Sequence, residues 1–547
     1  MSSLIAFFTA VISFFTMLFS PAAIKTDCIF SIDASHLSEE TGNMAKCINV
    51  WEMGSSFISP ERNAEHDIFE FVEYVQLMAC SGGTVTRDLF KDPLDRTVLD
   101  DYDFSNLIKN CRGILNLGAK PHLKFGNTPL KLTDDPQKGV FSDNINPPDN
   151  YDAYYNYIKA AAEALSDEFG KNEVASWHFG VMTEYENSDW FTAKSGDPAE
   201  TAAAYCKLYD YTAAALQDVL GDDIYIGAHS MSVTEGLWDE EIFIRHCAKG
   251  VNYKTGEQGA RLCYLSASFY DSRPGVYTSG KTLPETINDL RATAEKYGLY
   301  GLDYGIDEGR ILSGNSAGKD SSEIMSRSSG FTWQAAYDAR QYGQMLDSGI
   351  DYFSYWDFLS GGLFKGNPSV SYYVSREISK YAGSRKAQVK TVKNLPLINR
   401  EASAHAVYNE NDGTLRAFVY NYSKKLDHTA DCSVMLNVSV PDFADGTATV
   451  TAYRINDDCN FFDEWLEDRK LYGITDDMFS WSPDDFMIDS LLTDTGAREL
   501  YFGTLYEKYA ACSVLRPDTF TVKVKNGKLL FTDDIAANTV TFYEINQ

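Results

Sequence analysis

Cationic residues are scarce in this chain of 547 residues, because 48 Lys and Arg stand against 78 Asp and Glu, which gives a formal net charge of −30. A surface of that sign repels phosphate backbones and anionic lipid headgroups, so we expect no nucleic-acid partner. No apolar stretch after residue 25 is long enough to cross a bilayer, so we expect no integral membrane association. The ten cysteines form no C-x-x-C pair and the histidines show no ligand spacing, so we expect no metal site.

The first 25 residues differ in composition from the rest of the chain. Leu4 to Phe19 is an almost unbroken apolar run, and the small residues 20–23 follow it. This pattern is typical of a secretory signal peptide, although such peptides normally begin with a positive charge and the first cation here is Lys25. The run is short for a membrane anchor. We therefore expect residues 1–25 to be a signal peptide and the protein to be secreted or extracytoplasmic.

Between residues 49 and 384, short apolar runs alternate with longer amphipathic runs that stop at a glycine. The short runs predict strands at residues 48–51, 83–86, 120–125, 177–182, 224–227, 265–270, 302–306 and 352–356. The longer runs predict helices at residues 67–80, 103–117, 151–169, 198–220, 238–249, 283–297 and 331–348. This alternation predicts a (β/α)8 TIM barrel as the catalytic domain, residues 49–384. An open doubly wound sheet is the structural alternative, but no G-x-G-x-x-G follows the first strand.

The pattern changes after residue 384. Short runs that alternate or are rich in β-branched residues, with turn pairs such as Asp412-Gly413 and Asn526-Gly527, predict an accessory β-sandwich over residues 385–547. Residues 461–516 interrupt it with a more helical, acidic segment. We expect residues 26–48 to be a linker or a strand that packs on this β-domain.

Two carboxylates follow predicted strands on opposite sides of the barrel mouth: Glu184 after the fourth strand and Glu308 after the seventh. The active site of a (β/α)8 barrel lies at the carboxyl ends of its strands. Hydrolysis of a glycosidic bond needs two such carboxylates, one to protonate the leaving oxygen and one to attack or stabilise the sugar. Among 78 acidic residues, however, a glutamate at a strand end is more often a solvated loop charge. The two residues alone do not define an enzyme.

Residues 177–187, Trp-His-Phe-Gly-Val-Met-Thr-Glu-Tyr-Glu-Asn, resemble the strand-four motif of clan A retaining glycosidases, and in particular of glycoside hydrolase family 39. That family includes β-xylosidases and α-L-iduronidases. Its strand-four motif ends in Asn-Glu-Pro with the glutamate as acid/base, so the resemblance assigns that role to Glu184. Residues 304–308 resemble the strand-seven segment, which assigns the nucleophile to Glu308. Further segments in the same order extend the resemblance over nearly the whole chain.

The resemblance also implies a set of substrate-binding residues. Arg87 matches an arginine that steadies the nucleophile, and Trp356 matches a tryptophan that forms the floor of the sugar subsite. Thr183 stands where the family has the Asn that binds the sugar 2-hydroxyl, a role that Asn127 or Asn187 would then take. Strand six ends in Phe269-Tyr270 instead of the usual His-containing motif, although Tyr270 is placed to bind Glu308. The predicted substrate-binding residues are therefore Arg87, Asn127, Thr183, Asn187, His229, Tyr270 and Trp356.

The sequence as a whole predicts a retaining exo-glycoside hydrolase of the β-xylosidase type that acts on a glycoside or oligosaccharide without a cofactor. Glu186 competes with Glu184 for the acid role, because the alternation of a strand places both on one side. A catalytically silent carbohydrate-binding barrel is the alternative that Thr183 keeps open. A barrel lyase or aldolase would need a Schiff-base lysine, for which Lys124 is the single weak candidate.

Overall fold

The structure is a computed structural model that describes residues 26–51, 70–273, 276–277, 279–311, 332–355, 367–395, 400–425, 428–475, 478 and 494–547. Trp356 and the first part of the predicted helix 67–80 lie outside these described residues. The described part of the chain begins with strand β1 (Cys28–Glu40), continues into a parallel sheet and ends in a second, mostly antiparallel sheet that includes β1.

The predicted barrel is confirmed. Eight parallel strands pair in chain order into a nearly closed sheet. The amide of Phe353 in the last strand donates to the carbonyl of Met44 at 3.0 Å, which brings this strand beside the segment that leads into the first. The strands are β2 (Cys47–Val50), β3 (Tyr74–Leu77), β4 (Lys120–Phe125), β5 (His178–Val181), β6 (Tyr225–Ser230), β7 (Tyr264–Arg273), β9 (Asp303–Ile311) and β10 (Tyr352–Tyr355); the short β8 (Val276–Tyr277) pairs antiparallel with β7.

The predicted second strand at residues 83–86 is wrong. The second barrel strand is β3, which lies inside the run 67–80 that was predicted as a helix. Val75, Gln76 and Leu77 are all buried, because a central parallel strand is covered on both faces and has no polar side. Such a short apolar run cannot be told from a helix segment by periodicity. Residues 83–86 form a turn, so Arg87 lies well beyond the end of its strand.

The helices around the barrel follow the predicted runs closely, and two of them have the predicted bounds. In those two, Asn150 and Asp197 cap the N terminus by accepting two backbone N–H groups each, and a glycine follows the last residue. The barrel helices are α1 (Ser105–Asn116), α2 (Tyr151–Phe169), α3 (Lys171–Ala175), α4 (Pro198–Leu220), α5 (Glu241–Lys249), α6 (Leu283–Lys296), α7 (Trp333–Ser348) and α8 (Val370–Ser379). None of the described helices combines the length and hydropathy of a membrane-spanning segment.

The interior of the barrel is aromatic and polar instead of aliphatic. A Cβ added at Gly227 would lie 2.3 Å from the ring of Tyr264, and one at Gly305 would lie 2.3 Å from the ring of Tyr352. The absent side chains make room for these two rings inside the sheet. His122 binds the Tyr264 hydroxyl at 2.8 Å. The polar lining gives the strands hydrogen-bonding groups that reach from the barrel centre towards its mouth.

The second sheet has nine strands and forms the accessory domain. Its order runs from β16 (Asp518–Val524) at one edge to β17 (Lys528–Ile535) at the other, yet these two strands are consecutive in the chain and are joined at Asn526-Gly527. Both turn residues have positive φ, 53° and 68°, as a tight hairpin requires. The sheet therefore curls until its edges meet. Its strands, besides β1, are β11 (Arg385–Asn394), β12 (Arg400–Asn409), β13 (Thr414–Ser423), β14 (Cys432–Ser439), β15 (Gly446–Ile455), β16 (Asp518–Val524), β17 (Lys528–Ile535) and β18 (Thr539–Asn546).

The β-domain packs against the barrel through α7. A Cβ at Gly343 in this helix would lie 2.5 Å from the imidazole of His405 in β12, and Arg340 pairs with Glu401 at 2.8 Å. One hydrophobic core runs from the barrel into this face of the sheet. The helical insert contains α9 (Phe462–Tyr472), α10 (Thr495–Leu500) and α11 (Tyr506–Cys512) and has a small core of its own.

Candidate active site

Glu184 stands on a sharp turn directly after β5. Met182 and Glu184 both have positive φ, 64° and 44°, which non-glycine residues rarely adopt. The turn is held by backbone hydrogen bonds, since the amide of Met182 donates to Phe125 at 2.7 Å and that of Tyr185 to His229 at 3.0 Å. Strained backbone of this kind is often found at functional sites. The turn directs the Glu184 side chain towards the barrel mouth.

Three donors hold the Glu184 carboxylate, which is only 6% exposed. The Ser268 hydroxyl donates to Oε1 at 2.6 Å. The Asn187 amide donates to Oε2 at 2.7 Å, and the Trp190 indole donates to the same oxygen at 3.2 Å. Because the donors come from both sides of the carboxylate, its plane and its two oxygens have defined positions. This is the preorganisation that proton transfer to a bound substrate requires.

Glu308 reaches the same place because β9 contains a bulge. The register with β7 runs from Ile306 opposite Ala267 to Glu308 opposite Ser268, so Asp307 is the extra residue. Asp307 turns into the barrel core and is fully buried, whereas Glu308 is partly exposed. The Tyr270 hydroxyl donates to Glu308 Oε1 at 2.8 Å.

Ser268 connects the two glutamates. It is hydrogen-bonded to Glu184 and is the register partner of Glu308 across β7 and β9. The Glu184 carboxylate thus lies against the residue that pairs with Glu308. The two predicted carboxylates converge on one end of the barrel.

A chain of buried polar side chains leads from this point into the barrel. His229 Nε2 lies 2.9 Å from Ser268 Oγ, and His229 Nδ1 lies 2.8 Å from Lys124 Nζ. Lys124 forms an ion pair with Asp307 at 2.9 Å. Burial holds the pKa of His229 well below its usual range, so the imidazole is neutral. Burial acts to raise the pKa of Asp307, but the Lys124 ammonium outweighs it and the pKa lies below its usual range.

Arg87 and Asn127 differ in their side-chain contacts. Arg87 forms an ion pair with Asp143, and its guanidinium lies 5.3 Å from the ring centroid of Trp51. Asn127 is buried, and its side-chain oxygen has no hydrogen-bond partner among the described residues. Buried polar atoms are normally paired, so this oxygen is an acceptor available to a ligand.

Four further residues were predicted to bind substrate: Thr183, Asn187, His229 and Trp356. The Thr183 hydroxyl is buried and has no partner within the part of the chain that is described. Trp356 cannot be placed, because it is not among the described residues. Asn187 and His229 both belong to the site, but their contacts are with the protein: Asn187 binds Glu184, and His229 binds Lys124 and Ser268.

Glu186 does not share the position of Glu184. It is 1% exposed and accepts a hydrogen bond from Ser230, and burial raises the pKa of its carboxyl well above the usual range. Its carboxyl thus binds Ser230 on β6, whereas that of Glu184 binds Ser268 on β7. Two residues that sequence reasoning missed, Ser268 and Asp307, complete the site. Ser268 could have been found from its place two residues before Tyr270, on the same side of β7.

Over the described ranges, no group of three or more His, Cys, Asp or Glu side chains is arranged to hold a metal ion. The chemistry that the residues themselves offer is that of two carboxylates at one mouth. Glu184 is held by neutral donors and Glu308 by a tyrosine hydroxyl. Such a pair can transfer a proton and attack an electrophilic carbon.

Part of the sequence resembles a known protein family. The sequence profile of glycosyl hydrolases family 39 matches residues 84–298. A β-xylosidase from Caldicellulosiruptor saccharolyticus is 33% identical over 120 residues, which are 22% of this chain and 23% of that protein. A second β-xylosidase, from Geobacillus stearothermophilus, is 26% identical over 149 residues, 27% of this chain and 28% of that protein. The aligned segments thus span about a quarter of each curated relative.

Solved structures match over most of the chain. A monomeric β-xylosidase from Caulobacter crescentus CB15 superposes with a TM-score of 0.64 at 16% identity, covering 95% of this chain and 99% of that one. A bacterial orthologue of human α-L-iduronidase gives a TM-score of 0.64 at 14% identity, covering 95% and 84%. At these identities the structures establish the fold.

The fold is a (β/α)8 barrel with two glutamates at one end. The predicted resemblance to glycoside hydrolase family 39 is confirmed by the sequence profile of that family, which matches residues 84–298.

Proposed function

We propose that this protein is a retaining exo-glycoside hydrolase with Glu184 as acid/base and Glu308 as nucleophile. The observation that carries the proposal is that Ser268 joins the two glutamates: its hydroxyl binds the Glu184 carboxylate at 2.6 Å, and its backbone is the register partner of Glu308 across β7 and β9. The family 39 match supports a glycosidase. No step of the mechanism requires a cofactor.

In the first step, Glu308 attacks the anomeric carbon and the bond to the leaving oxygen breaks. The leaving oxygen takes the proton of Glu184, which becomes a carboxylate. The Tyr270 hydroxyl fixes Glu308 Oε1 and so the plane of the attacking carboxylate. In the second step, Glu184 takes a proton from water, the water oxygen attacks the anomeric carbon, and the ester bond to Glu308 breaks. The sugar leaves with its original anomeric configuration, and both glutamates regain their starting states.

A β-xyloside is the substrate that we propose. The curated relatives that align with this chain are β-xylosidases, and so is one of the solved structures with the same fold. The unpaired side-chain oxygens of Asn127 and Thr183 supply buried acceptors at the mouth for sugar hydroxyls. Because Thr183 replaces the family's Asn, we expect Asn127 to bind the 2-hydroxyl.

Two further parts of the proposal concern location and architecture. The apolar run from Leu4 to Phe19 supports removal of residues 1–25 during export. The curled second sheet supports a two-layered sandwich, since Phe520 and Phe531 from its two edge strands lie 5.7 Å apart.

The test is a panel of aryl pentosides, hexosides and uronides with the wild type and three isosteric variants. We expect Glu308→Gln to abolish turnover, and Glu184→Gln to slow hydrolysis of a poor leaving group by about 10²–10⁴-fold. Glu184→Gln should affect a dinitrophenyl glycoside far less, because that leaving group needs no proton. Glu186→Gln, in a neighbouring buried glutamate, is the matched control and should retain activity.

Hydrolysis with inversion of configuration, or equal activity of Glu308→Gln and the wild type, would contradict the mechanism. If the wild type cleaves none of the glycosides but binds a sugar in calorimetry, the protein is instead a carbohydrate-binding barrel.

A further inference from the structure

We propose that Ser268 and His229 are positioning residues: together with Lys124 they fix the direction of the hydrogen bond that Glu184 Oε1 accepts, and this bond sets how strongly the carboxyl holds its proton. This inference rests on the proposed role of Glu184 as acid/base. It concerns the proton affinity of the Glu184 carboxyl.

Lys124, at the inner end of this row of hydrogen-bonded side chains, sets the direction of every hydrogen bond in it. The Lys124 ammonium has donors only, so His229 Nδ1, at 2.8 Å, must be the acceptor. A neutral imidazole that accepts at Nδ1 carries its proton at Nε2, and Nε2–H donates to Ser268 Oγ at 2.9 Å. The Ser268 hydroxyl proton is then directed to Glu184 Oε1 at 2.6 Å. If His229 or Ser268 reversed its hydrogen bond, a neighbouring side chain in this row would lose its partner.

The ammonium that sets this direction is itself held in place. Lys124, His229 and Ser268 are fully buried, and Asp307 neutralises Lys124 at 2.9 Å. Asp307 in turn accepts from Gln76 at 3.2 Å and from Tyr352 at 2.5 Å. A buried ion pair of this kind is costly to break. Reversal of the hydrogen bonds would need an acceptor at Lys124 Nζ, and an ammonium group has donors only.

Other charged or titratable groups face this chain from the elements around it. Glu308 and Tyr270 lie beside Ser268, on β9 and on β7 itself. His122, on β4 with Lys124, binds Tyr264, and burial lowers the pKa of this histidine to about 4. Among the described residues, Ser268 is the hydrogen-bond donor to Glu184 Oε1. Its hydroxyl is therefore the link to test.

The arrangement accounts for a departure in the sequence. Strand six lacks the His-containing motif of the family that this chain resembles, and a serine occupies β7 two residues before Tyr270. The imidazole comes instead from His229 on the adjacent strand β6 and acts through the serine hydroxyl. In this chain the Ser268 hydroxyl thus stands between the His229 imidazole and Glu184.

Ser268→Ala tests the proposal, with Ser266→Ala as the matched control. Ser266 lies on the same strand and side, is equally buried, and has its hydroxyl 3.4 Å from the Ala228 carbonyl. A hydrogen bond to a carboxylate favours the ionised form, so its loss lets Glu184 keep its proton to higher pH. We expect the basic limb of the kcat/KM pH profile to move up by about one pH unit in Ser268→Ala. Ser266→Ala should keep the wild-type limb.

Two further variants separate positioning from a merely structural role. Ser268→Thr retains the hydroxyl and should restore the wild-type limb. His229→Gln retains a donor towards Ser268 but loses the fixed imidazole, and should move the limb in the same direction as Ser268→Ala by a smaller amount. A limb that is unchanged in Ser268→Ala, or that moves as far in Ser266→Ala, would overturn the proposal.

A readout without turnover keeps this inference separate from the proposed function. In protein labelled with ¹³C at the glutamate carboxyls, the Glu184 signal is assigned by its absence in Glu184→Gln. Its titration midpoint should move to higher pH in Ser268→Ala, even if no glycoside in the panel is hydrolysed. An unchanged midpoint in folded Ser268→Ala refutes the role of the serine whether or not the protein is a glycosidase.

Discussion

Replacing Lys124 with methionine removes the cation that neutralises Asp307 at the centre of the barrel. Both side chains are fully buried, and Nζ lies 2.9 Å from Oδ2. Loss of one partner of a buried ion pair costs about 3–5 kcal/mol, because the other charge remains in a medium of low dielectric constant. Asp307 keeps its hydrogen bonds from Gln76 and Tyr352. These offset part of the cost, so we expect the free energy of unfolding to fall by about 3 kcal/mol.

Urea unfolding measured by circular dichroism provides the assay, with two comparison variants. Lys131 is also buried, but its partner Asp101 keeps 18% of its side chain exposed, so Lys131→Met should cost only about 1 kcal/mol. The double variant Lys124→Met/Asp307→Asn removes both charges and should recover part of the loss. A cost below about 1 kcal/mol for Lys124→Met, or a double variant that is no more stable than the single one, would refute the reasoning.

Two further predictions follow from the barrel interior. Gly227→Ala should destabilise the protein by more than about 2 kcal/mol in the same assay, because the new Cβ would lie 2.3 Å from the Tyr264 ring and 2.4 Å from its carbonyl oxygen. Gly42→Ala is the control, since a Cβ there meets nothing within 4 Å. An equal loss of stability in the two variants would contradict the close packing of Tyr264 against Gly227. The free energy of unfolding should also fall as the pH decreases from about 6.5 to about 4, by roughly 1.4 kcal/mol per pH unit for each of His122 and His229. The reason is that the unfolded state binds protons at these residues, whereas burial keeps both imidazoles neutral in the fold. A free energy of unfolding that stays constant over this range, measured by urea titration, would show that these histidines are not buried as neutral groups.

The barrel and its main carboxylate pair could be predicted because their signals are local. The six predicted helices that are present each end within two residues of a glycine, and Glu184 follows closely on a strand whose residues show the strand pattern. The second barrel strand could not be predicted, since Tyr74–Leu77 is too short to show a period and its burial depends on neighbours that are distant in the sequence. Arg87 was expected directly after a strand for the same reason.

The contacts behind the glutamates could not be predicted, because they join residues that meet only when the barrel closes. Lys124 and Asp307 lie on β4 and β9, and neither local sequence indicates a partner. The bulge at Asp307 also defeats the simple alternation of a strand, since it turns this residue into the core while Glu308 faces the mouth. Sequence alternation therefore indicated the strand but not which of its two adjacent carboxylates is buried in the core.

Trapping of the glycosyl-enzyme tests the central claim most directly. The wild type is incubated with an activated 2-deoxy-2-fluoro glycoside of the sugar that it hydrolyses, which slows the second step more than the first. The protein is then digested, and the labelled peptide is sequenced by mass spectrometry. The mechanism predicts one sugar per chain, attached to Glu308 and absent from Glu308→Gln. A sugar attached to any other residue, or steady turnover with no adduct, would contradict it.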